Sequence, residues 1–519
     1  MRGASQLGIL RRTLSSLSVR LFLCSWIAFS LYFATNLVRE HYPAFSLVEE
    51  GTFKVDRYLD FHPDIFLHDD GHAYVGNNVA ASVIAAVPLL LFDPVLDRLE
   101  AYERQRNSRS APRAEYRNED HPNSRLFFAR AAQAGLTLRF GASAAVTSVF
   151  LMAPLSALMI LLMFHILLER GISERAAAAL SLLFGFATPV FFRTGVLNHN
   201  MLVMYTTFVA FHLLWVRPGE RAPSALGHRV AAGFLAGAGL ALDYSGVVPL
   251  LVLFAYVIGA RLSTASFRTS VTESIPFVLA SVPPVLFLLY SQWAMFGNPF
   301  LPGQYWMPDV SDSQVYGTFK NPYSTEGFRG FTWPQMDLLL LNLFDPSYGM
   351  YVYGPLLLLA LIPARWYQRD ELILPRPERT FGVALFVAML LFCGANQYSR
   401  IQFNSGFRYM VPLVPILFLA ASDHLVRLPR RWLLMVAIPA LLNSWVISMV
   451  REPVPESWRR VLAEGIQFPW LTVLKQTSPP DHPVIGSPLL APAILVLVAG
   501  VLVMIWRSGA KGGIEDRLA

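Results

Sequence analysis

The stretch from Thr35 to Pro88 reads TNLVREHYPAFSLVEEGTFKVDRYLDFHPDIFLHDDGHAYVGNNVAASVIAAVP, and its position relative to the flanking apolar segments decides the fold. It concentrates acids and histidines in a chain that is otherwise strongly apolar. Its acidic residues and histidines are Glu40, Glu49, Glu50, Asp56, Asp60, Asp64, Asp69, Asp70, His41, His62, His68 and His72. Such a cluster directly after the first apolar segment predicts chemistry at a membrane surface.

The composition of the whole chain is that of a membrane protein. Its 519 residues are 54% hydrophobic and 15% charged, whereas soluble globular proteins carry about 25% charged residues. Many apolar runs approach the roughly 20 residues that a helix needs to cross a bilayer. We therefore predict an all-α, polytopic helical membrane protein. No basic run with interleaved aromatic residues forms a separate domain, so we predict no nucleic-acid partner. Cys24 and Cys393 both lie in apolar segments, which predicts no disulfide framework.

Apolar segments recur along the chain, and thirteen of them are candidate spans. They are residues 19–38, 77–97, 138–168, 174–192, 200–216, 229–242, 244–260, 275–296, 351–364, 380–395, 409–424, 432–449 and 488–506. Arginines cluster in short loops that all fall on one side of the resulting alternation, and short basic loops are typical of the cytoplasmic side.

One early segment cannot cross if the basic N-terminus is also cytoplasmic. The weakest candidate is 77–97, because it contains Pro88 and an Asp93–Pro94 pair. We predict that it lies on the outer surface as a helix in the first outer loop. About 12 transmembrane helices then remain, with both termini cytoplasmic. The competing arrangement has thirteen spans and an outer N-terminus.

This topology divides the chain into three parts. They are a cytoplasmic N-terminus at 1–18, a transmembrane core at 19–425 with outer loops 39–137 and 297–350, and C-terminal transmembrane helices at 426–519 with outer loop 450–487.

The outer loops hold candidate catalytic groups. A carboxylate in the first loop, such as Asp56, can act as a general base on an acceptor hydroxyl or amine; the alternative is a solvated loop acid. His199, at the outer end of a span, can orient an acceptor, or it can be merely interfacial. His68 and His72 flank two acids and suggest a divalent metal site, although Gly71 favours a turn.

Other polar groups at the outer face are suited to phosphate. Asn77 and Asn78 open the surface helix, where free N–H groups attract an anion or are simply capped. Arg408 stands at the mouth of a span with Arg400 nearby. Two such guanidinium groups can hold a lipid-linked phosphate, or they can anchor ordinary lipid headgroups.

Two further pairs are candidate substrate-binding residues. Asp243 and Tyr244 interrupt two apolar segments, and an ionisable group near membrane depth is a functional candidate; the alternative is a turn between spans. Lys320 and Arg329 belong to an aromatic-rich outer loop, whose rings suit sugars but are also typical of an interfacial belt.

Several segments resemble the C-type glycosyltransferases (GT-C), in particular family-39-like proteins related to protein O-mannosyltransferases and lipid A aminoarabinose transferases. The resemblance extends over about residues 19–425. It is carried by SLVEEGTFKVD (46–56), DDGHAYVGNNVAASVIAAVP (69–88), FGFATPVFFRTGVLNHN (184–200), MFGNPFLPGQY (295–305), LFDPSYGMYVYGPLLLLAL (343–361) and SGFRYMVPLVPILFLA (405–420).

The resemblance implies an activity. A GT-C-like core would move a sugar from a polyprenyl-phosphate donor to a lipid, glycan or protein acceptor, with inversion, at the periplasmic or extracellular face of a bacterial inner membrane. Asp56 would be the base, with Glu40 and Asp70 as reserves, and His199 would orient the acceptor. Arg408 would hold the phosphate, helped by Arg400 and Asn77. No cofactor is implied with certainty, and a divalent metal stays open.

The chain also departs from the family pattern. Asn77 to Ala80 stand where the family carries a lysine and a double proline, so a basic phosphate contact is missing there. Two alternatives follow: a transporter or flippase of a lipid-linked substrate, and a non-catalytic membrane scaffold with the same fold. The nearly charge-free span interiors disfavour transport.

Overall fold

A computed structural model describes most of the chain, namely residues 16–109, 116–117, 122–215, 225–262, 266–313, 317–363, 367, 372–402, 406–479 and 482–508. The predicted cytoplasmic N-terminus at 1–18 falls almost entirely outside these ranges, as does the tail beyond residue 508. Within the described residues the chain is overwhelmingly helical, so the prediction of an all-α protein is confirmed for this part.

The first half of the chain forms helices and one small β-hairpin. The helices are α1 (Leu17–Leu31), α2 (His41–Glu49), α3 (Ala80–Arg109), α4 (Pro122–Ala134), α5 (Thr137–Thr147), α6 (Ala153–Glu169), α7 (Glu174–Phe186), α8 (Val190–Thr194) and α9 (His199–Leu214). A π-helical turn at Ser148–Met152 joins α5 to α6, so Thr137–Glu169 is one rod of 33 residues. Strands β1 (Ile65–Leu67) and β2 (Ala73–Val75) pair antiparallel, with Phe66 opposite Tyr74.

The second half continues in the same way. Its helices are α10 (Leu226–Leu242), α11 (Val247–Leu262), α12 (Phe267–Phe296), α13 (Gly303–Trp306), α14 (Met336–Phe344), α15 (Met350–Tyr353), α16 (Arg376–Ala395), α17 (Val414–Leu425), α18 (Arg430–Val450), α19 (Val454–Glu464), α20 (Pro469–Thr477) and α21 (Leu490–Ser508). Strands β3 (Val310–Ser313) and β4 (Gly317–Lys320) form a second antiparallel hairpin.

Six of the described helices are long and apolar enough to cross a membrane. They are α3, the α5–α6 rod, α12, α16, α18 and α21. Four further apolar helices are shorter and comprise residues Leu17–Leu31, Leu226–Leu242, Tyr244–Gly259 and Val411–Leu425. These lengths and compositions are those of a membrane-embedded protein, while the number of crossings stays a prediction.

Two of the predicted spans are not continuous helices. Segment 174–192 divides into α7 and α8, and segment 351–364 contains the end of α15 and then a 3₁₀ helix, Pro355–Leu361. The break in segment 351–364 follows from Gly354, which leaves the helical region at φ −133° and ψ 64°, and from Pro355, which has no N–H to donate to the preceding turn.

Helices α10 and α12 pack closely because α10 has small residues at their contact. A Cβ at Gly233 would lie 2.1 Å from the carbonyl oxygen of Phe277, and one at Gly237 would lie 2.4 Å from that of Ser281. Both pairs are spaced by four residues, which is one helical turn on each side. This small-residue contact is typical of helices that associate within membranes.

Helix α3 contains residues 80–97 of the predicted surface segment 77–97, and it contacts the rest of the protein along its length. Just before it begins, the Asn78 side chain donates to the Leu240 carbonyl, 3.3 Å away. In its middle, the Phe92 ring lies 4.7 Å from that of Phe150. Near its end, Glu103 accepts from the backbone N–H of Leu138 at 2.7 Å.

The second half of α3 also carries a buried ion network. Arg139, at the start of the α5–α6 rod, is 1% exposed. Its guanidinium group contacts Asp97 at 2.5 Å, Glu49 at 2.8 Å and Asp93 at 3.2 Å. A buried charge is stable only when it is paired in this way. The network joins α3 to α2 and α5.

Candidate active site

Glu40 lies directly before α2, nine residues after the end of α1. Its side chain is buried, with 4% exposed. The neighbouring His41 is also buried, and its Nε2 lies 3.0 Å from the Thr147 hydroxyl of the α5–α6 rod. This anchor fixes the position from which the Glu40 carboxylate points into the protein.

Three distant parts of the chain meet around the His199 ring. Glu40 Oε1 lies 2.5 Å from Nδ1 of His199, the first residue of α9. The other ring nitrogen of His199, Nε2, lies 3.2 Å from Oδ2 of Asp243, which follows α10. The imidazole is therefore clamped between two carboxylates, and all three side chains are buried.

Helix ends present two of these residues. Asn198 caps α9 by accepting from the backbone N–H of Asn200 at 3.0 Å, which starts the helix with His199 in its first turn. Asp243 lies between α10 and α11, and its Oδ1 accepts from the N–H of Ser245 at 2.8 Å. Side-chain capping of this kind satisfies backbone donors that have no partner within the helix.

The asparagines before α3 support the same site. Asn77 donates its side-chain amide to Glu40 Oε1 at 3.1 Å. Asn78 donates to Leu240 near the end of α10. Both amides are thus used for protein contacts, and Asn77 directly orients the predicted reserve base.

A further ion pair extends the network outward. Arg39 contacts Asp64 at 2.7 Å and Glu40 at 3.5 Å. His62 Nδ1 lies 4.0 Å from the same Asp64 carboxylate. Two members of the acid- and histidine-rich stretch, Asp64 and His62, are therefore linked to the site through Arg39.

The charges of this group stabilise one another. Burial alone raises the pKa of Glu40, but His199 and Arg39 outweigh it and hold that pKa well below its usual range. Burial also raises the pKa of Asp243, and hydrogen bonds from His199 and Ser245 reverse the effect and lower it. Burial lowers the pKa of His199, yet the two carboxylates raise it overall. These directions favour the charged forms of all three groups, a carboxylate–imidazolium–carboxylate chain.

Arg193 interacts electrostatically with Glu40 and with two further arginines. Burial and the charges of Arg451 and Arg408 lower the pKa of Arg193 to about 9. Arg193 is 4% exposed, and Arg451 donates to the Phe192 carbonyl at 2.8 Å. Among the described residues, Nε of Arg408 is buried without a hydrogen-bond partner. Guanidinium groups gathered beside a carboxylate suit a ligand that carries phosphate.

Asp56 and Asp70 lie outside this group and organise the first hairpin. Asp56 contacts Nδ1 of His72 at 2.9 Å and the N–H of Ala73 at 2.5 Å, and its side chain is 52% exposed. Asp70 accepts from the Tyr74 hydroxyl at 2.9 Å. Neither acid contacts Glu40, His199 or Asp243 within the described part of the chain.

Arg400 and Arg329 each have an acidic partner away from the Glu40 group. Arg400 contacts Asp337 at 2.7 Å, and Arg329 contacts Asp309 at 2.6 Å. Lys320, at the end of β4, is exposed. None of the three is brought to Glu40.

Tyr244 follows Asp243 but bonds in another direction, since its hydroxyl pairs with the Gln292 amide of α12.

The histidines of the first hairpin do not form a metal cluster. Nδ1 of His68 accepts from the N–H of Asp69 at 2.6 Å, and its ring stacks on Trp306 at 5.3 Å. Across the residues that the structure describes, no group of three or more His, Cys, Asp or Glu side chains is arranged to hold a metal ion.

The sequence analysis missed the roles of Arg39, Arg193 and Arg451. A signal for Arg451 was present: it ends a predicted span on the outer side, where the positive-inside rule makes basic residues less frequent. Arg39 and Arg193 are similarly placed at outer ends of apolar segments.

Comparisons with known proteins return nothing: no family model, no curated protein and no solved structure matches this chain. The likeness to C-type glycosyltransferases thus rests on the sequence segments, and the function has to be derived from the geometry of the Glu40 group.

Proposed function

We propose that this chain is a membrane glycosyltransferase that moves a sugar from a polyprenyl-phosphate donor to a hydroxyl or amine acceptor. The observation that carries the proposal is the buried Glu40–His199–Asp243 chain, together with Arg193, whose charge interacts with those of Glu40, Arg408 and Arg451. A general base and a cationic phosphate site side by side are the two requirements of such a transfer.

Glu40 is the base that this geometry favours. Its Oε2 is not engaged by His199, Asn77 or Arg39, all of which contact Oε1, so Oε2 is the oxygen that would accept the proton. As the acceptor oxygen or nitrogen attacks the anomeric carbon, its proton passes to Glu40. The bond between that carbon and the donor phosphate breaks, and the polyprenyl phosphate leaves with the electron pair.

The remaining residues orient the reacting groups and neutralise their charges. His199 holds Glu40 and Asp243 at fixed positions and balances their charges. Arg408, whose buried Nε has no partner among the described residues, binds the departing phosphate together with Arg193. Asp56, the base implied by the family likeness, remains the competing assignment.

The predicted topology belongs to the same proposal: about 12 spans, both termini in the cytoplasm and the site at the outer face. Support for a surface position of α3 comes from its two ends. One end bonds Leu240 near Asp243, and the other bonds Leu138, which precedes the Thr147 that contacts His41. In the predicted topology Leu240 and Leu138 both lie at outer ends of apolar segments, so a helix with these two contacts does not need to cross the membrane.

A donor panel tests the proposal. Purified protein in nanodiscs is incubated with polyprenyl-phosphate sugars, and release of polyprenyl phosphate is measured. Replacing a general base lowers turnover by about 10²–10⁴-fold, so we expect that loss for Glu40→Gln. Glu326→Gln, at an exposed loop position, is the matched control.

The outcomes separate the alternatives. Loss of turnover in Asp56→Asn with full turnover in Glu40→Gln would assign the base to Asp56. Donor binding without turnover of any sugar and acceptor would favour the non-catalytic scaffold. Movement of the intact donor across a vesicle membrane would favour the flippase.

A further inference from the structure

We propose that helix α14, with the preceding Trp333, docks into the lipid layer at the face of the protein that carries the Glu40 group. The partner is the bilayer itself, at the boundary between headgroups and acyl chains. This role is independent of glycosyl transfer.

Helix α14 turns an apolar stripe away from the protein. Met336 is 77% exposed, Leu340 62% and Phe344 54%, and Trp333 just before the helix is 90% exposed. The helical residues are spaced by four, so they share one face. Leu338 and Asn342 are on the opposite face, and both are buried.

The helix is too short to cross a membrane. Its nine residues rise about 14 Å at 1.5 Å per residue, roughly half the thickness of a hydrocarbon core. A short amphipathic helix with an exposed aromatic residue is instead suited to lie in the plane of the interface, where tryptophan is enriched.

The start of α14 lies at the end of a membrane-length helix. The N–H of Thr332 donates to the Ala395 carbonyl and that of Gln335 to the Gly394 carbonyl, both at 2.9 Å. Ala395 is the last residue of α16. Because α16 is long and apolar enough to cross a membrane, its end marks the level at which α14 lies.

The exposed apolar surface continues from α16 to α14. On α16, Val383, Val387 and Leu391 are 63%, 47% and 44% exposed. Their spacing by four residues makes them one stripe that leads towards Ala395. The lipid layer that covers the stripe on α16 would therefore also cover the adjoining stripe on α14.

The buried face of α14 connects to the arginine beside the candidate site. Asn342 accepts from the Gln402 side chain at 3.0 Å. The Gln402 carbonyl oxygen, Oε1, accepts from the backbone N–H of Arg408 at 2.7 Å and of Tyr409 at 3.2 Å. If lipid holds α14 in place, it also stabilises the Arg408 backbone through Asn342 and Gln402.

Site-specific fluorescence tests the docking. Met336→Cys and Leu340→Cys are labelled with an environment-sensitive dye in the full chain and reconstituted in phosphatidylcholine nanodiscs. Thr325→Cys, at an exposed position of the same outer loop, is the control. The unsubstituted protein, which contains Cys24 and Cys393, measures background labelling.

We expect lipids that carry a nitroxide on the acyl chain to remove most of the emission from positions 336 and 340. Aqueous iodide should leave those labels largely unaffected but quench the label at position 325. Quenching of the 336 and 340 labels by iodide alone would overturn the proposal in favour of a solvent-facing helix. Protection from both quenchers would also overturn it, and would indicate a protein partner.

Discussion

Glu40 Oε1 and His199 Nδ1 are 2.5 Å apart although the two residues are separated by 159 positions in the sequence. The contact brings the start of α2 to the start of α9. Asp243 completes it from the end of α10. A buried charge without partners is strongly destabilising, so this arrangement constrains how the three helices come together.

Replacing the central imidazole should destabilise the fold as well as stop the reaction. His199→Gln leaves two buried carboxylates without their shared cation, and removing one partner of a buried ion pair costs about 3–5 kcal/mol. We expect a lower free energy of unfolding by that order in detergent. The double variant Glu40→Gln/His199→Gln should recover part of the loss, because it removes one uncompensated charge; simple additivity of the two effects would contradict this coupling.

Stability should depend on pH through the same group. The pKa of Glu40 is lowered in the folded protein, so its contribution is present above the unfolded pKa and is lost as pH falls through the folded pKa. The pKa of His199 is raised, so its contribution is complete below the unfolded value of about 6.5 and disappears as pH rises through the folded value. Thermal unfolding between neutral and alkaline pH should show that decline.

A variant comparison identifies the residue behind the alkaline decline. His199→Gln should abolish it, whereas His228→Gln, at an exposed position in the first turn of α10, should retain it. An unchanged decline in His199→Gln would assign the titration to another group.

Replacing Arg408 should weaken the use of the sugar donor more than the use of the acceptor. Charge-assisted hydrogen bonds to phosphate are worth about 1.5–3 kcal/mol, so Arg408→Gln should raise the KM for a polyprenyl-phosphate sugar or lower kcat/KM by one to two orders of magnitude, at about 1.4 kcal/mol per tenfold. Steady-state kinetics with varied donor would measure it. Arg106→Gln, at the far end of α3, is the control; equal effects in both variants would refute a specific role.

The packing of α10 against α12 should not tolerate a larger side chain. Gly237→Val places a Cβ 2.4 Å from the Ser281 carbonyl oxygen, and overpacking of this kind costs about 1–3 kcal/mol. A lower Tm in detergent is expected. Gly227→Val in the same helix meets no atom within 4 Å of its Cβ and provides the matched control. If both variants melt alike, the close contact contributes little.

The link from α14 to Arg408 can be broken without touching either apolar stripe. Asn342→Leu removes the acceptor of the Gln402 amide and should reduce donor binding through a less ordered Arg408 backbone. A donor-titration assay would detect the weaker binding. Lipid quenching of a label at position 340 should stay unchanged in the same variant, since the exposed stripe is intact. Normal donor affinity would show that the link does not act on Arg408.

The helical architecture was accessible from sequence because it depends on local patterns. Runs of apolar residues predict helices of membrane length, as at 380–395 and 432–449, which lie within α16 and α18. Gly354 and Pro355 broke the pattern at 351–364, where the chain forms two short helical pieces. There the hydropathy of the segment was informative, but its backbone conformation depended on two residues.

The candidate site was accessible only in part. Glu40, His199, Asp243 and Asn77 were all candidates from sequence, but in separate roles and behind Asp56 in rank. Asp56 instead pairs with His72 and Ala73 at the first hairpin. The family resemblance favoured Asp56 because of the residues next to it in the sequence. Burial and pairing with opposite charge depend instead on residues that are close in space.

By itself the sequence determined an all-α, membrane-embedded chain with a cluster of acids and histidines after the first apolar segment, because hydropathy and composition act over short stretches. Only the tertiary structure decided that Glu40, His199 and Asp243 form one buried charged chain and that the charge of Arg193 interacts with those of Glu40 and Arg408. The physical reason is that electrostatic partners in a low-dielectric interior are selected by the distances between helix ends, and no local pattern encodes those distances.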